Sequence, residues 1–140
     1  MKLVLVAAGK LRGPERTLCD DYLGRARRYT PCDEREVREG QDLAGAIPRE
    51  AVVVVLAPAG DAISSIELSK RIERWASRRK GVVAFVIGAA DGVPNDVMAR
   101  ADARLSLSTL TLPHRLARVV LAEQLYRAMT ILRGEPYARE

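Results

Sequence analysis

The sequence predicts an α/β domain in which a mostly parallel sheet is flanked by helices. Short apolar segments rich in β-branched residues, such as AVVVVLAP at 51–58, are typical of strands that are buried on both faces. Segments with apolar residues at helical spacing lie between them, and strands that alternate with helices favour parallel pairing. The chain has 140 residues, the size of one ordinary domain, so we expect a single domain over 1–140.

The first half of the chain predicts two strands and two helices. In order, they are a buried strand at 2–8, a helix at 16–29, a polar edge strand at 34–39 and a short helix at 41–47. In the first helix, Leu18, Tyr22 and Ala26 follow one another at four-residue spacing, which predicts that they form its buried face.

The second half predicts further alternation of strands and helices. In order, its elements are a buried strand at 51–58, a helix within 61–80, a strand at 82–88, a helix at 95–101 and a helix at 114–132. The helix within 61–80 carries an apolar side of four residues: Ile66, Ile72, Trp75 and Ala76. Ser64 or Ser65 is expected to cap its start, and Gly81 to end it.

The stretch LSLSTLTLPHRLARVVLAEQLYRA at 105–128 changes its strand pattern midway. Its first two leucines alternate with serines, as in a half-buried strand. Leu110 and Leu112 alternate in the opposite phase, because Ser108 and Thr109 stand side by side. A continuous strand would point the two leucine pairs to opposite faces, so we expect the strand to stop here.

Three loops are candidates for ligand binding, because parallel sheets bind ligands beyond the carboxyl ends of their strands. They are APAGD at 57–61, GAADG at 88–92 and STLTLPH at 108–114. Their small, mostly uncharged residues favour close backbone approach to a neutral or zwitterionic small molecule over a phosphate. The sequence has no GxGxxG motif and no P-loop, which argues against a dinucleotide or nucleoside triphosphate site.

Charge and cysteine content restrict the class of protein further. The net charge of +5 and the pI near 9.6 permit a polyanionic partner. Cys19 and Cys32 fit no metal-ligand spacing, so we interpret them as reduced thiols of a cytoplasmic protein without a metal site. No apolar segment approaches the roughly 20 residues that span a membrane. The start MKLVLVAAGK is better explained as a first strand than as a signal peptide.

The 105–128 stretch, together with GEPYARE at 134–140, closely resembles the C-terminal signature of the RlmH-type SPOUT methyltransferases. The similarity extends more weakly through KLVLVAAGKL, VVVVLAPAG and AFVIG, and so covers essentially the whole chain. It implies S-adenosylmethionine-dependent methylation of N3 of a pseudouridine in the helix 69 loop of 23S ribosomal RNA. It also implies a homodimer and a C-terminal trefoil knot, whose loops hold the cofactor.

The resemblance also implies the residues that bind the cofactor. Leu56 is expected to line the pocket, and Gly88 and Ala89 to approach the cofactor with their backbone. The adenine and ribose are expected to be wrapped by one continuous segment: Leu107, Ser108, Thr109, Leu110, Thr111, Leu112 and Pro113. In this interpretation Leu110 and Leu112 line the adenine slot, and a plain core position is the alternative for both.

Three further residues match family positions near the methyl-transfer site: His114, Tyr137 and Arg139. Arg139 is the candidate cation for stabilising a developing negative charge, and His114 is a candidate proton acceptor or orienting group. The alternative for His114 is a solvent-exposed residue at a helix start. The tail that carries Tyr137 and Arg139 would normally fray, and we expect it to fold onto the partner subunit instead.

Two departures from the family pattern bear on activity. The loop that is usually Gly-Gly-Pro-Glu/Asp-Gly here contains Ala89 and Ala90, and Ala89 would be strained if its φ angle had to be positive. The terminal Tyr-His-Arg of the family has Ala138 in its centre, so any substrate contact of that histidine is missing or reassigned.

The RNA partner is expected to be the large subunit or the 70S ribosome, held through its phosphates, with no membrane involved. The expected phosphate contacts are five basic residues: Lys10, Arg12, Arg25, Arg27 and Arg28. One alternative is a non-catalytic or divergent SPOUT protein that binds S-adenosylmethionine and another RNA such as tRNA. An unrelated flavodoxin-like binding protein is the other.

Overall fold

Five parallel strands form one sheet. The computed structural model describes residues 1–138. The strands are β1 (Lys2–Ala8), β2 (Cys32–Val37), β3 (Val52–Ala62), β4 (Val82–Ile87) and β5 (Ala103–Ser106), and they lie side by side in the order β2-β1-β4-β3-β5. The helices are α1 (Gly13–Ala26), α2 (Ser65–Ala76), α3 (Asn95–Ala99) and α4 (His114–Leu132), with 3₁₀ turns at Ala44–Ala46 and Pro136–Ala138. The predicted α/β class with flanking helices is confirmed.

The two faces of the sheet carry layers of different thickness. On one face, α1, α2 and α4 bury a core that includes Leu5, Phe85 and Leu125. On the other face, the short α3 and the segment 43–47 cover Val6 and neighbouring valines. The β-branched composition of β1, β3 and β4 follows from this arrangement, because their side chains are buried on both sides.

The strand β3 is interrupted near its end. Leu56 and Asp61 both lie opposite Leu105 of β5, so the residues between them are looped out of the ladder. A Cβ atom on Gly60 would lie 2.7 Å from the backbone N of Leu105, so only glycine fits there. Residues 57–60 of the predicted loop therefore lie between two segments that pair with β5, and Asp61, its last residue, belongs to the second of these segments.

The predicted buried face of the first helix is correct for Ala26 and wrong for Leu18. The helix spans Gly13–Ala26 and buries Cys19 and Leu23 together with Ala26, whereas Leu18 is exposed and Tyr22 is half-buried against the core. Cys19 and Leu23 have the same four-residue spacing as Leu18 and Tyr22 and are rotated from them by about 100° around the axis. The position of α1 on the sheet decides between them.

For the second helix, the predicted burial is correct for Ile72 and Trp75 and wrong for Ile66, and the predicted end is wrong. Ile72 and Trp75 are buried, but Ile66 is 59% exposed. The hydroxyl of Ser64 accepts a hydrogen bond from the N–H of Glu67 at 3.1 Å, which identifies Ser64 as the cap. The helix ends at Ala76, five residues before Gly81.

The remaining boundaries differ little from the predictions. The polar edge strand is confirmed as β2, displaced to Cys32–Val37, and the short helix at 41–47 is a 3₁₀ turn of three residues. The helix at 95–101 ends at Ala99, and α4 has the predicted bounds. The strand β5 ends at Ser106, which confirms the break. Among the helices of residues 1–138, none is long and apolar enough to cross a membrane.

Candidate active site

The loops after the strands meet at the carboxyl edge of the sheet. The connection after β1 leads to β2 on one side, and the connection after β4 leads toward β5 on the other. A crevice opens where neighbouring connections diverge in this way, and such a crevice is the usual ligand site of an open parallel sheet.

The segment 107–113 is an irregular loop held in shape by two serines. The hydroxyl of Ser106 donates to the carbonyl oxygen of Ser108 at 2.9 Å. The hydroxyl of Ser108 accepts from the N–H of Leu110, also at 2.9 Å. Leu110 is 75% exposed, so a core position for this leucine is excluded. The loop presents the exposed apolar side chain of Leu110, and none of its residues 107–113 is charged.

Other residues of the expected cofactor pocket lie around this loop. Leu56 and Leu107 are half-buried and pack against the main core. Leu112 is also half-buried, and Pro113 is the N-terminal cap residue of α4. Because β3 and β5 are neighbours in the sheet, Leu56 and the loop that follows β5 lie at the same edge.

The loop after β4 is tight, and its own backbone explains why its first residue, Gly88, is a glycine. A Cβ atom on Gly88 would lie 2.3 Å from the carbonyl oxygen of Gly92, which no side chain can satisfy. The N–H of Gly92 donates to the carbonyl oxygen of Ala89 at 2.9 Å. Among the non-glycine residues of 1–138, only Arg79 has a positive φ, so Ala89 is not strained.

His114 lies at a cavity of about 300 Å³ beside the loop after β1. The cavity is bounded by the segment 8–12, by Glu39 and by the first turns of α4, through His114, Arg115 and Arg118. His114 is half-buried at the start of α4. It directly follows the 107–113 loop and therefore joins that loop to the cavity.

A buried ionic network below the cavity is absent from the sequence predictions. Arg118 is 2% exposed and donates to the carbonyl oxygen of Gly9 at 3.0 Å. Its Nη2 also lies 2.7 Å from a carboxylate oxygen of both Glu34 and Glu36. Arg16 pairs with the same two carboxylates. The spacing of Glu34 and Glu36 places them on one face of β2, but nothing in the sequence indicates that this face is covered.

Both cysteines are free, as predicted, and both are buried. Burial raises the pKa of Cys19 to about 12, and the neighbouring carboxylate of Glu34 adds to this shift. Burial likewise raises the pKa of Cys32 to about 11. Both thiols are therefore protonated at neutral pH and are poor nucleophiles. Among residues 1–138, no group of three or more acidic, histidine or cysteine side chains is arranged to hold a metal.

Tyr137 packs on α4 of its own chain. Its hydroxyl donates to a carboxylate oxygen of Glu123 at 2.7 Å, and its ring centroid lies 4.5 Å from that of Tyr126. Arg127 pairs with Glu123 at 2.8 Å and lies over the ring of Tyr137. Burial and the neighbouring carboxylate raise the pKa of Tyr137 well above its usual value, so it is a hydrogen-bond donor at neutral pH.

Of the expected catalytic residues, the structure describes His114 and Tyr137, and it separates the two within one chain. Glu123, which holds Tyr137, lies nine residues after His114 on α4, or about 14 Å along the helix axis. Arg139 lies outside the described residues.

The five expected phosphate contacts form two separate groups. Lys10 and Arg12 border the cavity beside His114. Arg25, Arg27 and Arg28 lie at the opposite end of α1, toward the amino edge of the sheet. Arg25 pairs with Asp21, and the Nε of Arg27 donates to the carbonyl oxygen of Cys32 at 2.7 Å.

Comparison with known proteins places the chain in a class of methyltransferases. A family model described as "Predicted SPOUT methyltransferase" matches residues 1–138. The chain is 54% identical over 144 residues to a ribosomal RNA large subunit methyltransferase H from Sorangium cellulosum, covering 99% of each chain. It is 43% identical over 156 residues to the protein of that name from Paracoccus denitrificans, covering 100% of each.

Solved structures show the same fold at low sequence identity. A probable methylase family protein from Haemophilus influenzae aligns with a TM-score of 0.60 at 11% identity, covering 96% of this chain and 69% of that one. A Legionella pneumophila protein in complex with the bound cofactor SAM aligns with a TM-score of 0.53 at 14% identity, covering 91% and 66%.

The chain belongs to the SPOUT methyltransferase family, as its sequence motifs predict. Within that family, both relatives described above are ribosomal RNA large subunit methyltransferases H.

Proposed function

We propose that the chain is an S-adenosylmethionine-dependent methyltransferase that modifies N3 of a pseudouridine in the helix 69 loop of 23S ribosomal RNA. The observation that carries the proposal is the 54% identity, over 99% of both chains, to an enzyme named for the large ribosomal subunit. The atom and the nucleotide come from the family resemblance of the 105–128 stretch. The place of action would be the cytoplasm, where ribosomes are found.

The chemistry of the 107–113 loop fits the cofactor. S-adenosylmethionine would supply an electrophilic methyl group, and its adenine needs an apolar slot with a few hydrogen bonds. Leu110 offers an exposed apolar side chain, and the peptide groups of Thr109 and Thr111 lie in the same irregular segment. Leu56, Gly88 and Ala89 would complete the pocket. The same loops would form a trefoil knot in the single domain 1–140.

The proposed site must remove a proton from N3 of the base before or during attack on the methyl group. His114 is the candidate acceptor or orienting group, because it directly follows the cofactor loop and lines the cavity. Tyr137 is a donor and not a base, because its phenol is protonated. Arg139 is proposed to stabilise the negative charge that develops on the base. Much of the rate would come from alignment of the nucleophile with the methyl group.

We propose that the active form is a homodimer with composite sites. His114 and the docked Tyr137 are separated along α4, so one chain does not place them at one reacting atom. A second copy could bring its tail to the His114 of the first, which would also supply the basic surface for RNA from two chains. RNA binding would then weaken steeply with salt, as phosphate contacts do.

Methyl transfer to 70S ribosomes from a strain that lacks the endogenous enzyme would test the function. We expect one labelled methyl group per ribosome, mapped to a pseudouridine in helix 69. Transfer to tRNA instead would favour a divergent SPOUT enzyme, and tight cofactor binding without any transfer would favour a non-catalytic protein. Both outcomes would contradict the proposal.

A further inference from the structure

The cavity beside β1 has a charge that the cofactor does not explain. Lys10, Arg12 and Arg115 line it, and within the described part of the chain none of the three forms an ion pair. Glu39 is the carboxylate at its wall. The fourth cation, Arg118, is neutralised by the half-buried carboxylates of Glu34 and Glu36. The open part of the cavity thus carries more positive than negative charge.

Two helices begin at the same cavity, and neither is capped by a side chain. Arg12 is the N-terminal cap residue of the 14-residue α1, and its side chain makes no capping hydrogen bond. Pro113 has the same position on the 19-residue α4, and it has no side-chain donor or acceptor. Helix N-termini attract anions through free N–H groups and the helix dipole. Here that attraction adds to the charge of three cationic side chains, from two separate segments, that form no ion pair within residues 1–138.

The position of the cavity indicates which anion it binds. The expected cofactor residues lie near the end of β3 and in the loops after β4 and β5, whereas the cavity wall comes from the loops after β1 and β2 and from α4. His114 is the residue that follows the cofactor loop and also lines the cavity. An anion held there would lie beside the base that receives the methyl group.

We propose that this cavity is a phosphate subsite for the RNA substrate, in which Lys10, Arg12 and Arg115 hold a backbone phosphate next to the target nucleotide. The inference rests on the proposed function and adds to it. Phosphate contacts fix the register and orientation of a nucleic acid without reading its sequence. Their role here is to hold the strand while the base enters the site beside His114.

The test compares charge-removing variants at the two edges of the sheet. The double variant Lys10→Gln/Arg12→Gln changes the cavity, and Arg78→Gln/Lys80→Gln is the matched control, because both residues are exposed and precede β4 at the amino edge. A second comparison removes one charge at a time: Arg115→Gln changes the cavity, and Arg49→Gln is its control. Lys10→Arg/Arg12→Lys keeps the charge and serves as the rescue variant.

The first measurement is equilibrium binding to large subunits from a strain without the endogenous enzyme, without cofactor and at several salt concentrations. We expect Lys10→Gln/Arg12→Gln to bind about tenfold more weakly or worse, and its slope of log affinity against log salt to be shallower by about 1 to 2. The control and the rescue variant should stay within about twofold of wild type. Binding losses that match the control would overturn the proposal.

The second measurement is the affinity for S-adenosylmethionine by calorimetry, which we expect to be unchanged in every variant. A cavity variant that loses cofactor affinity but binds large subunits normally would assign the cavity to the cofactor's carboxylate and overturn the proposal.

The third measurement is methyl transfer by the cavity variants, in which KM for ribosomes should rise more than kcat falls. A wild-type protein that binds large subunits without methylating them would contradict the proposed function, and the binding comparison would still decide the subsite.

Discussion

Gly88 and Ala89 stand side by side in the loop after β4, and they are constrained differently. A side chain at Gly88 would collide with the carbonyl oxygen of Gly92, whereas Ala89 already carries one without a positive φ. The alanine is therefore compatible with this loop, and the departure from the family pattern does not by itself prevent cofactor binding.

Gly88→Ala should destabilise the protein by about 1–3 kcal/mol, because the loop must move to admit the new atom. The affinity for S-adenosylmethionine should fall with it. Thermal unfolding and calorimetry measure the two effects. Ala89→Gly is the matched control and should cost only about 0.5–1 kcal/mol, through backbone entropy. A large gain in cofactor affinity for Ala89→Gly would contradict this account of the loop.

Tyr137→Phe should remove one hydrogen bond to Glu123 and leave the ion pair of Glu123 with Arg127 in place. We expect about 0.5–1.5 kcal/mol less stability for the docked tail. The pH profile of methyl transfer should keep its shape, because the raised pKa of Tyr137 keeps the phenol protonated. A rise of the wild-type rate at alkaline pH that is lost in the variant would show that Tyr137 acts as a base. Tyr29→Phe, on the neighbouring aromatic ring of the same cluster, is the control.

At the scale of elements, Arg118 joins three parts of the fold. It connects α4 to the loop after β1 through Gly9 and to the edge strand β2 through Glu34 and Glu36. Because the cavity lies directly above, this network sets the position of the first turns of α4 relative to β1.

Arg118→Met should lower the free energy of unfolding by about 3–5 kcal/mol, because the half-buried carboxylates of Glu34 and Glu36 would keep Arg16 as their one guanidinium partner among residues 1–138. Chemical denaturation measures the loss. Arg115→Met, three residues earlier on the exposed side of the same helix, should change stability by no more than about 0.5 kcal/mol. Equal stability of the two variants would show that the network contributes nothing.

Because of the same network, the stability of the protein should depend on pH in the acid range. Burial alone would raise the pKa of Glu36, but the N–H of Leu11 and the guanidinium groups of Arg118 and Arg16 outweigh it and hold the pKa below its usual value. Because the pKa of Glu36 is lower in the folded state than in the unfolded state, its ionised carboxylate stabilises the fold at pH values above the unfolded pKa, near 4.5. This stabilisation is lost as the pH falls through the folded-state pKa.

Thermal unfolding measured between pH 7 and pH 3 should therefore show that the wild-type protein loses stability below about pH 4.5. The loss of stability should be smaller in Glu36→Gln. Glu67→Gln is the control, because the pKa of Glu67 is also lowered by arginines, but at the surface, where solvent screens the effect. Wild-type and Glu36→Gln curves that run parallel below pH 4.5 would contradict the prediction.

At the scale of the whole molecule, the separation of His114 from Tyr137 predicts trans complementation. A His114→Ala chain and a chain truncated after Glu135 should each be inactive as homodimers. A heterodimer of the two would contain one site with an intact His114 and an intact partner tail. We expect its methyl transfer to recover to about half of the wild-type rate per dimer, since one of two sites works. No recovery in an isolated, tagged heterodimer would place both groups in one chain.

Local sequence patterns predicted the fold more fully than the site. The bounds of α4, the buried strands and the end of β5 follow from hydrophobic periodicity and from Pro and Ser positions. The buried side of α1 does not follow, because two apolar stripes have equal spacing there. The serine pair that breaks the strand pattern was visible in the sequence, but its hydrogen bonds to the loop were not.

The sequence by itself determined the fold class, the uncharged loop at 107–113 and, through its motifs, membership of the SPOUT family. Only the tertiary structure decided that Arg118 is buried between Glu34 and Glu36, that Lys10 and Arg12 share a cavity with His114, and that Tyr137 docks on α4. The reason is distance along the chain: periodicity and capping act over a few residues, whereas Arg118 and Glu34 are 84 residues apart. Such contacts exist only once the order of the strands has brought α4 above β2.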